Sequence, residues 1–276
     1  MRLLDWEIDN PIIVSSGPFT NSKSQIDKMF SYGPGAVVTK TISAEELIGK
    51  HSIIKKSGYF FNREGYSDRS LEYWEDVFSE FSKKNLIANI SGTTSSHICQ
   101  LVKFCEKCGI KMIELGLSCP TLGMDPICTD LGRLEEICLA VRKRASVPLI
   151  AKIMISTSKS MNVKMVEVIK KTGIDAISVT DTLPALKYNE EGTAQYGGIS
   201  GPFLKPMVMK FFQDVETIDI CKIAIGGIET GQDVWDYLRS GSSAVEVCSV
   251  LLARGQEYLP YLINEYQEME HKNKTT

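Results

Sequence analysis

Short apolar runs recur along the chain, most of them separated by amphipathic stretches of helical length. Eight runs read as strands: residues 11–16 (PIIVSS), 35–41 (GAVVTKT), 86–91 (LIANIS), 111–117 (KMIELGL), 148–154 (PLIAKIM), 175–180 (DAISVT), 221–227 (CKIAIGG) and 243–249 (SAVEVCS). They are apolar nearly throughout rather than alternating, which suits parallel strands covered on both faces. Helical patterns occupy 21–31, 97–109, 131–145, 160–173 and 230–241. Several end in a glycine just before the next strand, as in KCGIKMIEL, KTGIDAISV and RSGSSAVEV, the punctuation of a helix-to-strand turn. Eight β-then-α units predict an α/β fold of the (β/α)8 TIM-barrel type. An open doubly wound sheet is the alternative, but no G-x-G-x-x-G follows the first strand. Three connections, 42–84, 118–132 and 182–205, are too long for plain turns and are expected above the C-terminal rim of the barrel, where active sites are built. No repeat, low-complexity tract or linker interrupts the pattern, so a single domain over 1–276 is expected.

Composition narrows the function classes. The chain is 43% hydrophobic and 24% charged, with a net charge of −3 and no basic stripe, so nucleic acid is not an expected partner. The opening MRLLDWEIDNP carries Asp5, Glu7 and Asp9, unlike a signal peptide, and no stretch approaches the roughly 18 apolar residues of a membrane span. No membrane association is expected, and the cytoplasm is the expected compartment. Eight cysteines are sparse for a disulfide scaffold in a chain of this length and fit a reducing compartment. Cys105 and Cys108 form one C-x-x-C without a second pair, so they read as helix-packing residues before a stop at Gly109, and no metal site is expected.

Residues just past each strand should line one pocket. They include Ser16-Gly17, Lys40-Thr41, Asn89, Ser118-Cys119, Lys152, Thr180-Asp181, Gly226-Gly227 and Cys248-Ser249. Lysines inside apolar runs seldom lie buried without an anion. Lys40 and Lys152 therefore either pair with carboxylates at the rim or face a bound anion or an electron-rich cofactor. Gly226-Gly227 and Cys248-Ser249 put small residues and helix starts after strands 7 and 8, where barrels commonly grip phosphate. Close helix–strand packing would also explain the two glycines. The segment QYGGISGPFLKP (195–206) is glycine-dense enough to let backbone approach a ligand.

These segments together resemble the dihydroorotate dehydrogenase family and the pyrimidine-reducing barrel of dihydropyrimidine dehydrogenase. NPIIVSSGPF, VVTKT, IELGLSCP, AKIMIS, YGGISG and IAIGGIETGQDV each match a family segment, in family order, from about Asn10 to Leu252. The resemblance implies an FMN-binding barrel and a CH–CH oxidoreductase. It implies that Ser16, Gly17, Lys40 and Thr41 line the flavin, that Asn89 touches the ring, and that Lys152 lies by its pyrimidine edge. Ser200, Gly201, Gly226, Gly227, Cys248 and Ser249 would hold the ribityl phosphate. Cys119 falls on the catalytic position, moving a proton at one carbon while hydride passes between its neighbour and flavin N5. Its location in a Pro-containing loop supports that role over an inert buried thiol, and Cys128 is a second candidate.

The substrate-reading positions depart from the family. Lys40, Asn62 and Thr182 are retained among the expected substrate contacts. Where the dihydroorotate enzymes carry asparagines, Gly116, Thr121, Asp181 and Asp68 stand here. An amide both donates and accepts, whereas a carboxylate only accepts. The expectation is therefore an FMN oxidoreductase for a small non-orotate substrate rich in hydrogen-bond donors, such as an ammonium or amidine. Genuine dihydroorotate oxidation is the main alternative; a non-redox phosphate-binding barrel and an inactive flavin-binding subunit are the others. Without cysteines for an iron–sulfur cluster, electrons should pass to a soluble acceptor or a separate electron-transfer protein. The resemblance also implies a homodimer.

Overall fold

The computed structural model of the chain describes residues 1–44, 52–118 and 125–274. Among them, eight parallel strands form a closed barrel: β1 (Ile12–Val14), β2 (Ala36–Val38), β3 (Leu86–Ser91), β4 (Ile113–Gly116), β5 (Leu149–Ile153), β6 (Ala176–Val179), β7 (Cys221–Ile225) and β8 (Ala244–Val247). Closure comes from β8 against β1 (Glu246 beside Ile13) and from β2 against β3 (Val37 beside Leu86). The open doubly wound alternative is thereby excluded, and the fold is a TIM barrel. Every expected strand run supplies one stave, and nearly every strand residue is buried, as strands covered on both faces require.

Helices α1 (Lys23–Ser31), α2 (Leu71–Glu80), α3 (Ser95–Lys107), α4 (Leu131–Arg142), α5 (Lys159–Lys171), α6 (Leu204–Asp214), α7 (Gly231–Arg239), α8 (Ser249–Arg254) and α9 (Leu259–Lys274) surround it. Local chemistry starts and stops them. The side chains of Ser22, Ser70, Thr94, Asp130, Ser158 and Thr230 each accept a first-turn N–H, which leaves fewer orphan donors at the helix start. Gly109 and Gly173 take positive φ just past α3 and α5, the left-handed exit glycine adopts most readily. In the same helix Cys105 is fully buried in the core, and Cys108 caps its end.

Two cores follow from this layout. Between strands and helices lie large side chains such as Trp74, Phe78, Phe211, Phe212 and Tyr237, all fully buried or nearly so. Inside the barrel, Ile13, Val38, Ile87, Met112, Ile150, Ala176, Ile223 and Ala244 form an apolar lower layer. Leu3 and Ile8, carried by an N-terminal ribbon (Arg2–Leu3 paired with Trp6–Glu7), close that layer from below.

The long connections carry structure of their own. Strands Ile53–Lys56 and Tyr59–Asn62, from the excursion after β2, join Leu183–Tyr188 and Ala194–Ser200, from the excursion after β6, in one antiparallel sheet. The two excursions meet where Asn62 pairs with Gly198 and Phe60 with Ser200. That sheet was not evident in the sequence, where both stretches read as rim loops. No helix among the described residues is long and apolar enough to cross a membrane.

Candidate active site

Strand side chains alternate, so positions i and i+2 share the inner face of a barrel. Two residues above the apolar layer, the inner face turns polar on seven of the eight strands: Ser15 above Ile13, Lys40 above Val38, Asn89 above Ile87, Glu114 above Met112, Lys152 above Ile150, Ser178 above Ala176 and Glu246 above Ala244. On β7 the series continues with Ile225 above Ile223. A cleft of about 1120 Å³, open mouth included, stands on this polar layer at the C-terminal end of the barrel.

Lys152 anchors the layer. Its ammonium lies 3.3 Å from Glu114 Oε1 and 3.2 Å from Glu246 Oε2, with all three side chains at most 6% exposed. Glu114 also accepts from Asn89 Nδ2 (2.5 Å) and Ser178 Oγ (2.7 Å), and Glu246 Oε2 accepts from Ser15 Oγ (2.8 Å). Burial disfavours charge on each group, and the opposite charges decide the outcome for two of them. Against burial, Glu114 and Glu246 hold the Lys152 ammonium well above the usual lysine range. Lys152 and hydrogen bonds from Glu246, Ser178 and Asn89 likewise hold Glu114 low, whereas burial, the Glu114 charge and the hydrogen bond to Glu114 push Glu246 up. Lys40, 5% exposed, pairs with Glu64 at 2.8 Å. Both lysines thus pair with carboxylates, and both line the cleft.

Most expected residues converge here. Ser16, Gly17, Lys40, Thr41, Asn62, Asn89, Gly116, Lys152, Asp181, Thr182, Ser200, Gly226, Gly227, Cys248 and Ser249 line the cleft. Asp181 is held by Ser118 Oγ (3.0 Å) on one oxygen and by Thr182 N (2.7 Å) on the other. Asn62 spends its amide on backbone, donating to Gly198 O and accepting from Glu64 N, so it holds the antiparallel sheet in place. Gly116 leaves room beside Asn89 and Ser91; Ser91 donates to the Gly116 carbonyl at 2.7 Å and shares a hydrogen bond with Tyr66.

The corner after β7 is set by packing. A Cβ on Gly227 would lie 2.6 Å from Lys205 N and 2.7 Å from Pro202 O, and both Gly226 and Gly227 take positive φ. Tyr237 donates to Gly226 O at 2.7 Å, and Lys205 bridges Asp233 and Asp236 at 2.6 Å, tying the start of α6 to α7. Close helix approach therefore requires these glycines, while the same turn borders the cleft. Helix α8 starts beside it, with Cys248 at its N-cap and no side chain capping it. Burial pushes the Cys248 thiol up to about 11, so it is no thiolate near neutral pH.

Other expectations are corrected. Asp68 stands outside the cleft, 45% exposed, where it accepts from Asn21 and lies 3.6 Å from Arg69. Gly201 packs against the Gly58–Tyr59 turn, Gly197 against Phe61 and Asn62, and Gly198 against Thr182. The three glycines of this stretch thus pack within the protein, while Ser200 between them lines the cleft. Cys128 is fully buried, and burial pushes its thiol up to about 11, which disqualifies it as an acid or base near neutral pH. Cys119 and Thr121 lie outside the described residues. The sequence reading missed Glu114, Glu246, Ser15, Ser178 and Glu64; the signal for the first four was a polar residue two places after an apolar one in each run.

A family model described as dihydroorotate dehydrogenase matches residues 1–269. The catalytic subunit of dihydroorotate dehydrogenase B (NAD(+)) from Alkaliphilus metalliredigens is 28% identical over 254 residues, covering 87% of this chain and 83% of that protein. The NAD-dependent dihydropyrimidine dehydrogenase subunit PreA of Escherichia coli is 27% identical over 275 residues, covering 89% of this chain and 66% of PreA. Among solved structures, Eimeria tenella dihydroorotate dehydrogenase in complex with ferulenol superposes with a TM-score of 0.79. It is 22% identical, with 96% of this chain and 82% of that one covered, and at that identity the likeness shows the fold.

Proposed function

The chain belongs to the dihydroorotate dehydrogenase family, and from that premise we propose that it is an FMN-dependent oxidoreductase acting on a C–C bond of a small, donor-rich substrate other than dihydroorotate. The observation that carries this reading is Asp181, a cleft carboxylate with each oxygen fixed by one donor, Ser118 or Thr182 N. Each oxygen keeps acceptor capacity and the group has no donor to offer, so it favours an N–H-bearing partner over another carboxylate. Gly116 supports it, because this cleft-lining position offers no amide side chain to read an imide.

The residues present fit FMN. Asn89 Oδ1 is a buried acceptor with no hydrogen-bond partner, and Asn89 lines the cleft. Orphaned atoms of this kind call for a bound group that satisfies them. Ser16, Gly17, Lys40, Thr41, Asn89 and Lys152 would hold the ring; Ser200, Gly226, Gly227, Cys248 and Ser249 would hold the phosphate beside the uncapped start of α8. Bound there, FMN supplies two-electron, hydride-accepting chemistry. Lys152 would supply it with fixed positive charge, and Cys119, the residue after Ser118, would take or return the proton at the substrate carbon. The relatives' names, a catalytic subunit and a subunit of NAD-dependent enzymes, support a separate electron-transfer protein as partner.

An anaerobic titration of the FMN-loaded protein, followed in the flavin absorption band, tests this. Dithionite should bleach the band and dihydroorotate should not. Rapid bleaching by dihydroorotate would overturn the substrate reading in favour of pyrimidine chemistry. Failure to take up FMN on reconstitution would overturn the cofactor reading.

A further inference from the structure

Beneath the cleft, one buried ammonium serves two buried carboxylates. With both ionised, the cluster of Lys152, Glu114 and Glu246 would carry a net negative charge where water does not reach, an arrangement proteins relieve by keeping one carboxyl protonated. The hydrogen bonds show which one. Three donors spread over both oxygens of Glu114: Asn89 and Lys152 on Oε1, Ser178 on Oε2. Glu246 receives Ser15 and Lys152 on Oε2 alone, and its Oε1 receives no donor. Protonated, Glu246 donates to the Glu114 carboxylate beside it, whereas ionised it would set a second negative charge there with one oxygen unpartnered; Glu246 also borders the cleft.

We infer that Glu246 keeps its carboxyl proton at neutral pH and donates it to the neighbouring Glu114 carboxylate, so that the floor beneath the cleft carries no net charge. That the cleft above holds a flavin ring rests on the FMN reading; the protonation does not. Burial, reinforced by the Glu114 charge, pushes Glu246 up to about 8. The other charged groups that bear on the cluster are few. Asp181, above β6, acts on Lys152, and Lys40 with Glu64 acts on neighbouring Cys248. From β7, adjacent to β8, Lys222 turns to the opposite end and donates to the carbonyls of Ile218 and Ile220. Below about pH 8 the cluster is neutral; above it the floor becomes anionic and opposes any negative charge placed on the ring.

Two measurements test the inference. Infrared difference spectra of the FMN-free protein between neutral and alkaline pH should show one carboxylic-acid carbonyl band present near neutrality and lost above about pH 8. Glu246→Gln should abolish it. Should that variant not fold, Glu114→Gln leaves Glu246 as the lone counterion of Lys152 and should abolish the band equally. With FMN bound, the reduction potential of the native protein should acquire an extra proton-coupled slope above about pH 8 that Glu246→Gln lacks. No band at neutral pH, or one that survives in both variants, overturns the inference, as do parallel potential–pH profiles. Should FMN fail to bind, the proposed function falls, and the infrared result alone decides the protonation.

Discussion

Replacing Lys152 by methionine removes the one cation between Glu114 and Glu246 while keeping most of the side-chain volume. At an effective dielectric of about 20, the Lys152 ammonium and the Glu114 carboxylate, 3.3 Å apart, attract by roughly 5 kcal/mol. Much of that is offset by the cost of burying the lysine itself, and breaking a buried pair from one side typically costs about 3–5 kcal/mol. The variant should therefore lose about 3–5 kcal/mol near pH 8, or roughly 10 °C in Tm at the scale usual for domains of this size. The sign with pH follows from which carboxyls hold protons. In the native protein Glu114 is held low, so its contribution is present above the unfolded carboxyl range and is lost on acidification. Glu246 is raised, so its contribution is full in acid and fades as pH rises to about 8. Without Lys152 both carboxyls are raised, the folded state binds more protons, and the variant loses stability more steeply with rising pH. Urea unfolding of both proteins at a series of pH values measures this. A deficit below about 1 kcal/mol at pH 8, or one that does not shrink on acidification, would refute the account of a single buried cation that keeps Glu114 ionised.

Gly227→Ala must fit a Cβ against the backbone of Lys205 and Pro202 at positive φ, so thermal unfolding should show a loss of about 1–3 kcal/mol; FMN recovered in the filtrate of the loaded protein should rise in parallel. Cys119→Ala should lower turnover about 100- to 10,000-fold while the flavin absorption band is retained; an unchanged rate would remove the thiol from the reaction. Asp68→Ala, at a half-exposed position outside the cleft, should leave turnover unchanged and shift stability by no more than about 0.5 kcal/mol in urea unfolding.

The sequence by itself determined the barrel, because its signals are local. A parallel strand covered on both faces reads as an unbroken apolar run, an exit glycine marks several of the helix stops, and eight such units in succession fit one closed fold. Strand-end positions were legible for the same reason: once the strands are known, Ser16, Lys40, Lys152, Asp181, Gly226 and Cys248 must gather at one rim. What those residues meet was decided only in three dimensions. Lys152 and its partners Glu114 and Glu246 lie 38 and 94 residues apart and become neighbours because the barrel closes on itself. A lone glutamate in an apolar run carries no local mark of its partner. Asp68 and Gly201 show the converse: their motif positions suggested the cleft, but the antiparallel sheet built from two distant excursions holds Gly201 against the Gly58–Tyr59 turn, and Asn21 holds Asp68 outside. Periodicity fixes which face a side chain takes, whereas charge pairing and glycine packing depend on which distant elements meet.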